Sequence, residues 1–92
     1  MPKRLIYQAV WIFTIFGTDI FENRKHVHVG RKGTEKLCKI WLEPDVTVAK
    51  PGELSASEQR EVLAITDLYK DELIRQWRQF LAGQKVETIK IN

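Results

Sequence analysis

Two hydrophobic periods divide the chain near Ser55. Between residues 5 and 16 every odd position is apolar, whereas the even positions include Gln8 and Thr14, which is the period of two expected of a half-buried strand. After Ser55, apolar residues recur at helical spacing instead. The change of period predicts an α+β fold in which helical structure covers one face of a sheet.

The part of the chain before Ser55 contains four segments with strand character. They are residues 5–16, 26–29, 37–42 and 46–50. A bulge or a break is expected inside the first, and the glycines of the 30–33 turn favour a hairpin between the second and third. We therefore predict an antiparallel meander of four or five strands, with the β-prone tail after Gly83 as a fifth strand or a free edge. In the first loop, Ile20 and Phe21 are expected to pack on the core.

The second half of the chain predicts one long C-terminal helix. Ser55 and Glu58 have the spacing of a capping box, which marks the start. One side of the helix would carry a continuous apolar stripe formed by Val62, Leu63, Ile65, Tyr69, Leu73, Ile74, Trp77, Phe80 and Leu81. Because the stripe keeps its phase, we expect a single helix from about Ala56 to Ala82, ended by Gly83.

Length and composition limit the classes of function. A chain of 92 residues, 43% hydrophobic, predicts a single domain over 1–92, made of a sheet part (1–54), a helix (55–83) and a tail (84–92). Such a domain buries about 60 to 65% of its unfolded surface, which leaves little room for a deep cleft with a lid. This size weighs against most elaborate enzymes.

The single cysteine and the first apolar run indicate in which cellular compartment the protein is expected. Cys38 alone cannot form an intrachain disulfide, which is typical of a reducing compartment, so we expect a cytoplasmic protein. The apolar run at 5–16 is shorter than the roughly 20 residues that a membrane span needs and has no cleavage pattern after it. No membrane partner is expected.

Positive charge is concentrated in the predicted hairpin. The formal net charge is +3. Residues 23–39 contain six Lys or Arg against Glu35 alone, whereas residues 55–92 are balanced. The excess of positive charge therefore lies in residues 23–39, where the basic side chains could bind phosphate groups.

The sequence His26-Val27-His28-Val29 is the most informative chemical pattern. If the valines face the core, both imidazoles face outward, and the same alternation in the next strand places Lys39 and Trp41 on that outer face. An aromatic ring on a basic sheet is typical of surfaces that stack bases and hold phosphates. The candidate nucleic-acid-binding residues are Arg24, Lys25, Arg31, Lys32, Lys39 and Trp41, and the candidate catalytic residues are His26 and His28.

The histidines also allow two other interpretations. They could be structural, hydrogen-bonded and packed across strands, or they could bind zinc. A zinc site needs a third ligand, for which Asp19, Glu22 and Glu43 are only loosely placed. We therefore predict no metal and no cofactor.

Several of these elements together resemble the domain-of-unknown-function 4160 family. They are an aromatic-rich first strand, His26-Val27-His28-Val29, Lys39-Ile40-Trp41-Leu42 with Pro44, Ser55 with Glu58, and Trp77. The resemblance implies a small bacterial protein, encoded beside another small protein and belonging to a toxin–antitoxin-type module. It implies no mechanism, and the tail after Gly83 lies outside the common core.

Two functional hypotheses of different classes follow. In the first, the protein is an RNA-directed component of such a module: the basic residues hold phosphates, Trp41 stacks a base, and His26 or His28 transfers a proton during metal-independent cleavage. In the second, it is a non-enzymatic interaction module whose hairpin face or tail binds a partner protein encoded nearby, with structural histidines. The residues alone leave the choice, the substrate and the oligomeric state open.

Overall fold

The computed structural model describes residues 3–17, 21–22, 24–34 and 36–92, so Asp19 and Ile20 lie outside the described residues. Six strands and two helices follow one another along the chain. They are β1 (Lys3–Tyr7), β2 (Trp11–Thr14), β3 (His26–Gly30), β4 (Cys38–Trp41), β5 (Thr47–Lys50), α1 (Ala56–Leu68), α2 (Lys70–Leu81) and β6 (Ile89–Ile91).

All six strands join one mixed sheet in the order β5-β4-β3-β2-β1-β6. Strands β1 to β5 form an antiparallel meander, and β6 runs parallel to β1 at the opposite edge from β5. The predicted α+β class, the meander and a strand in the tail are confirmed. The sheet has one strand more than the predicted maximum because the first apolar run forms two.

The first apolar run turns back on itself at Gln8–Val10. Gln8 (φ 51°) and Ala9 (φ 56°) both adopt the left-handed conformation, and the N–H of Val10 donates to the carbonyl oxygen of Tyr7 at 2.9 Å. Neither residue is a type that favours positive φ, so the local sequence contains no turn signal. The expected break inside this run is therefore a complete hairpin turn.

The apolar faces of the strands form the core under the helices. Cross-strand neighbours Leu5, Phe13, Val29 and Cys38 lie in one row across four strands and are fully buried. Helix side chains cover this face: Val62 and Ile65 from α1, and Leu73 and Trp77 from α2. Phe21, by contrast, is 83% exposed, so the prediction that it packs on the core is wrong.

The predicted single helix is wrong, because the helical segment is interrupted at Tyr69. This residue has φ −108° and ψ 17°. Its N–H still donates to the carbonyl oxygen of Ile65, and its carbonyl oxygen accepts from the N–H of Leu73, so helical hydrogen bonds continue across the interruption. The interruption lets α1 contact β5 while α2 contacts β1.

The start of α1 agrees with the prediction. The Ser55 hydroxyl accepts from the N–H of Glu58 at 3.2 Å, and the Glu58 carboxylate accepts from the N–H of Ser55 at 3.0 Å. The capping box therefore forms in full.

Candidate functional site

The β3–β4 hairpin brings the two histidines, Lys39 and Trp41 together. In the strand register His26 lies opposite Trp41, and His28 lies opposite Lys39. Residues directly opposite each other in adjacent strands point to the same side of the sheet. We call these four side chains the histidine face, and their shared side is the one that the alternation predicts.

His26 occupies the interior of this group. Its side chain is 0% exposed, and its Nδ1 lies 2.9 Å from the carbonyl oxygen of Arg24 and donates to it. The ring makes edge-to-face contacts with His28 (5.2 Å between centroids), Trp41 (5.6 Å) and Trp77 (5.1 Å). The prediction that both imidazoles face solvent is therefore wrong for His26, because Trp77 of α2 reaches the end of the sheet and covers it.

His28 is half-buried and packs edge-to-face on Phe16, with 4.9 Å between the ring centroids. Glu22, from the loop before β3, has a carboxylate oxygen 3.8 Å from Nδ1 of His26. The same carboxylate accepts from Nζ of Lys39 at 2.9 and 3.0 Å. Glu22 thus connects the first loop to the histidine face.

Trp41 is in contact with two cationic groups. The guanidinium carbon of Arg24 is 4.2 Å from the Trp41 ring centroid, and Nζ of Lys39 is 4.6 Å from it. Arg24 also donates from Nε to the carbonyl oxygen of Glu43 at 2.7 Å. Cation–π contacts at these distances occupy ring surface that a stacked base would need.

The remaining basic candidates are Lys25, Arg31 and Lys32. Lys25 contacts the Glu43 carboxylate at 3.4 Å. Arg31 forms an ion pair with Glu58 and lies 4.3 Å from the centroid of the Trp11 ring, on the helix side of the sheet. Lys32 is exposed in the turn after β3. The structure therefore brings Arg24, Lys39 and Trp41 to the histidines but not Arg31 or Lys32.

The arrangement of possible metal ligands and the burial of Cys38 also bear on the chemistry of the site. Within the described part of the chain, no three His, Cys, Asp or Glu side chains are grouped to hold a metal ion. Asp19 lies outside the described residues, so the absence of a metal stays a prediction. Cys38 is buried on the opposite face, and burial raises the pKa of its thiol to about 11, so it stays protonated at neutral pH.

Two contributors to the site carry no signal in the sequence that predicts their role. Trp77 is recognised only as a core residue of the helical stripe, although it covers His26 from 51 positions later in the chain. Glu22 is considered only as a metal ligand, although it pairs with Lys39. No local pattern marks either contact, because each depends on how distant segments meet.

A match to a known protein family shows to which family this chain belongs. Residues 11–78, more than half of the chain, match the family described as "Domain of unknown function (DUF4160)". The chain belongs to this family. The DUF4160 match contains the histidine face and Trp77, whereas β1 and β6 lie outside it.

Similarity to other known proteins adds nothing to this family match. No curated protein and no solved structure matches the chain. Among the residues that the structure describes, neither helix has the length and apolar character needed to cross a membrane.

Proposed function

We propose that this DUF4160 protein is a non-catalytic interaction module that binds a partner protein, and that its histidines are structural. The burial of His26 carries this proposal: the side chain is 0% exposed, hydrogen-bonded to Arg24 and enclosed by Trp41 and Trp77. A general acid or base must come within hydrogen-bonding reach of the substrate proton. An imidazole in these surroundings acts as a packing group.

The basic side chains support the same proposal. Lys39 is held by Glu22, Lys25 by Glu43, and Arg31 by Glu58. Each cation would have to leave an intramolecular carboxylate before it neutralised a phosphate, which reduces the gain from binding RNA.

The alternative is an RNA-directed component of a toxin–antitoxin-type module. The charge distribution favours it, since residues 23–39 contain six basic residues against one acidic residue. Lys32 and Lys36 are exposed within this segment. Under this hypothesis His28, which is half-buried, is the more accessible of the two candidate proton-transfer groups.

One pair of measurements separates the two functions. The full chain is co-expressed with the product of the adjacent gene and purified, and in parallel its affinity for a mixed-sequence single-stranded RNA is measured by fluorescence anisotropy at several salt concentrations. Our proposal expects a stoichiometric protein complex that persists in His28→Gln, with no cleavage of the RNA.

RNA binding would have a distinct signature. The logarithm of the association constant would fall with the logarithm of salt concentration by about 0.7 per phosphate contact, and charge reversal at Lys32 and Lys39 would flatten that dependence. Trp41→Ala would weaken binding by about 1–3 kcal/mol at every salt concentration if the ring stacks a base. This pattern, with cleavage lost in His28→Gln and no protein complex, would replace the interaction module by the RNA-directed function.

A further inference from the structure

A groove of about 220 Å³ opens beside the turn between β3 and β4. Its lining includes Ile12 and Thr14 of β2 and Thr34 and Leu37 of the segment between β3 and β4. Both Ile12 and Leu37 are half-buried, so each presents apolar surface to the groove and to solvent.

Gly30 makes this groove possible. A Cβ atom at this position would stand 2.7 Å from Cδ2 of Leu37 and 3.1 Å from Cβ of Thr34, both closer than normal contact. Because glycine has no side chain, Leu37 and Thr34 can fold over the end of β3. The turn is closed by a hydrogen bond of 3.0 Å from the N–H of Thr34 to the carbonyl oxygen of Arg31.

The size and walls of the groove suit one apolar side chain. An apolar cavity of about 150 Å³ is large enough to hold benzene, so this groove has room for an aliphatic or aromatic group. No aromatic ring is present among the described residues that line the groove. Its polar residues are Thr14, Thr34, Arg31 and Lys32, of which Arg31 is already paired with Glu58 on the helix side of the sheet. A nucleobase would therefore find no ring on which to stack.

The charge at the rim indicates the character of the partner. Lys32 is exposed at the edge of the groove, and the turn between β3 and β4 contains three basic residues, Arg31, Lys32 and Lys36, against one acidic residue, Glu35. A peptide with acidic residues on both sides of an apolar anchor would complement this charge, and the charges would speed its encounter with the groove.

We propose that this groove binds an aliphatic or aromatic side chain from an acidic segment of a partner protein. The proposal rests on the proposed function, since it names the surface and the chemistry of the partner that an interaction module would use. Burial of the anchor side chain in the groove removes apolar surface from water and so provides affinity. Lys32 favours partners that have acidic residues on either side of the anchor.

A peptide titration tests the groove directly. The ¹⁵N-labelled full chain is titrated with a blocked peptide of sequence Asp-Glu-Leu-Glu-Asp and followed by NMR. We expect chemical-shift changes to concentrate at Ile12, Thr14, Thr34 and Leu37. We also expect binding to weaken at least fivefold when the central leucine of the peptide is alanine, because most of the buried anchor is then missing.

Matched variants test the role of charge. Lys32→Glu should weaken binding at least fivefold, whereas Lys90→Glu, the same charge change at an exposed position on β6, should change it less than twofold. Gly30→Ala should also weaken binding, because the added Cβ would stand 2.7 Å from Cδ2 of Leu37 and this lining residue would have to move. Because Gly30→Ala could disturb the fold, the comparison of Lys32→Glu with Lys90→Glu is the decisive test of whether the groove binds the peptide.

Three results would overturn the proposal. They are equal binding of the leucine and alanine peptides, equal effects of Lys32→Glu and Lys90→Glu, and shifts at these residues with mixed-sequence single-stranded RNA but not with the peptide. A protein complex that survives Lys32→Glu would reject this groove while leaving the interaction function intact. Failure to form any complex with the adjacent gene product would instead contradict the function, and the peptide titration would still decide the groove.

Discussion

Trp77 and His26 close one end of the sheet by packing their rings together, 5.1 Å apart at the centroids. Trp77 is 3% exposed and belongs to the core cluster. Its ring therefore both fills the core under α2 and covers the imidazole that the sequence alone would place in solvent.

Trp77→Ala should lower the free energy of unfolding by about 3–5 kcal/mol, because the change removes a buried aromatic side chain and leaves a cavity. Urea denaturation followed by circular dichroism measures the effect. Leu68→Ala is the control, since Leu68 is 68% exposed on the neighbouring helix and its truncation should change stability by no more than about 0.5 kcal/mol. Equal effects of the two substitutions would show that Trp77 is not a core residue.

Glu58 links the start of α1 to the β3 turn. The pKa of its carboxyl is lowered by the hydrogen bond from the main-chain N–H of Ser55 and then by the side chain of Arg31. A group whose pKa is lower in the folded state stabilises the fold above its unfolded pKa, and this contribution disappears as the pH falls through the folded pKa. Glu58 therefore stabilises the protein at neutral pH but not in strong acid.

Glu58→Gln should consequently be less stable than the parent protein at pH 7, and the difference should shrink as the pH falls below the ordinary glutamate pKa of about 4.3. Urea midpoints measured from pH 7 down to pH 2.5 report this trend. Glu61→Gln, at an exposed position of the same helix, controls for the loss of a negative charge. A difference that stays constant across this range would rule out the Glu58 ion pair as its source.

At the scale of elements, one buried amide connects the tail to the rest of the fold in addition to strand pairing. Gln76 of α2 is 1% exposed, and its Nε2 donates to the carbonyl oxygens of Arg4 at 2.9 Å and Glu87 at 3.0 Å. It thus connects α2 to the start of β1 and to the segment before β6. This bridge adds to the pairing of β6 with β1, which covers three residues on each strand, and to the packing of Ile89 and Ile91 on the core.

Gln76→Met keeps the length of the side chain but removes both hydrogen bonds. We expect a loss of about 1–3 kcal/mol in the free energy of unfolding, because buried carbonyl oxygens lose their donor. Hydrogen exchange should also accelerate at Ile89–Ile91, which separates release of the tail from general destabilisation. Gln79→Met, at a half-buried position one turn further on, is the control. Unchanged exchange in β6 would contradict the bridging role.

At the scale of the whole molecule, the Cα radius of gyration is 12.0 Å, close to the value of about 12 Å expected for a compact domain of this length. The three tryptophans report on different regions: Trp11 lies in β2, Trp41 in β4 and Trp77 in α2. Fluorescence and secondary structure can therefore be compared across most of the fold.

The single-domain prediction for residues 1–92 then has a clear consequence. Unfolding in urea should give one transition with coincident midpoints by far-ultraviolet circular dichroism and by tryptophan fluorescence, as for a two-state domain. Trp41→Phe and Trp11→Phe variants would show which region each fluorescence change reports. A fluorescence transition that precedes the loss of helix signal would indicate that the sheet and the helices unfold separately.

The parts of the fold that could be predicted from sequence depend on residues close together in the chain. The change of period at Ser55 predicts the α+β class, and the spacing of Ser55 and Glu58 predicts the helix start. The alternation in β3 and β4 predicts that His26, His28, Lys39 and Trp41 share one side of the sheet, which their register supports. Each of these patterns is local because backbone geometry repeats over two to four residues.

The tertiary structure decided what no local pattern contains. Gln8 and Ala9 take the left-handed conformation because β1 and β2 must pair. The helical segment is interrupted at Tyr69, and the two helices contact opposite parts of the sheet, α1 at β5 and α2 at β1. The burial of His26 depends on Trp77, which is distant in sequence. Burial and ion pairing are set by surfaces that meet only after folding, so the accessible chemistry of this DUF4160 protein follows from its packing, whereas its elements follow from its residue pattern.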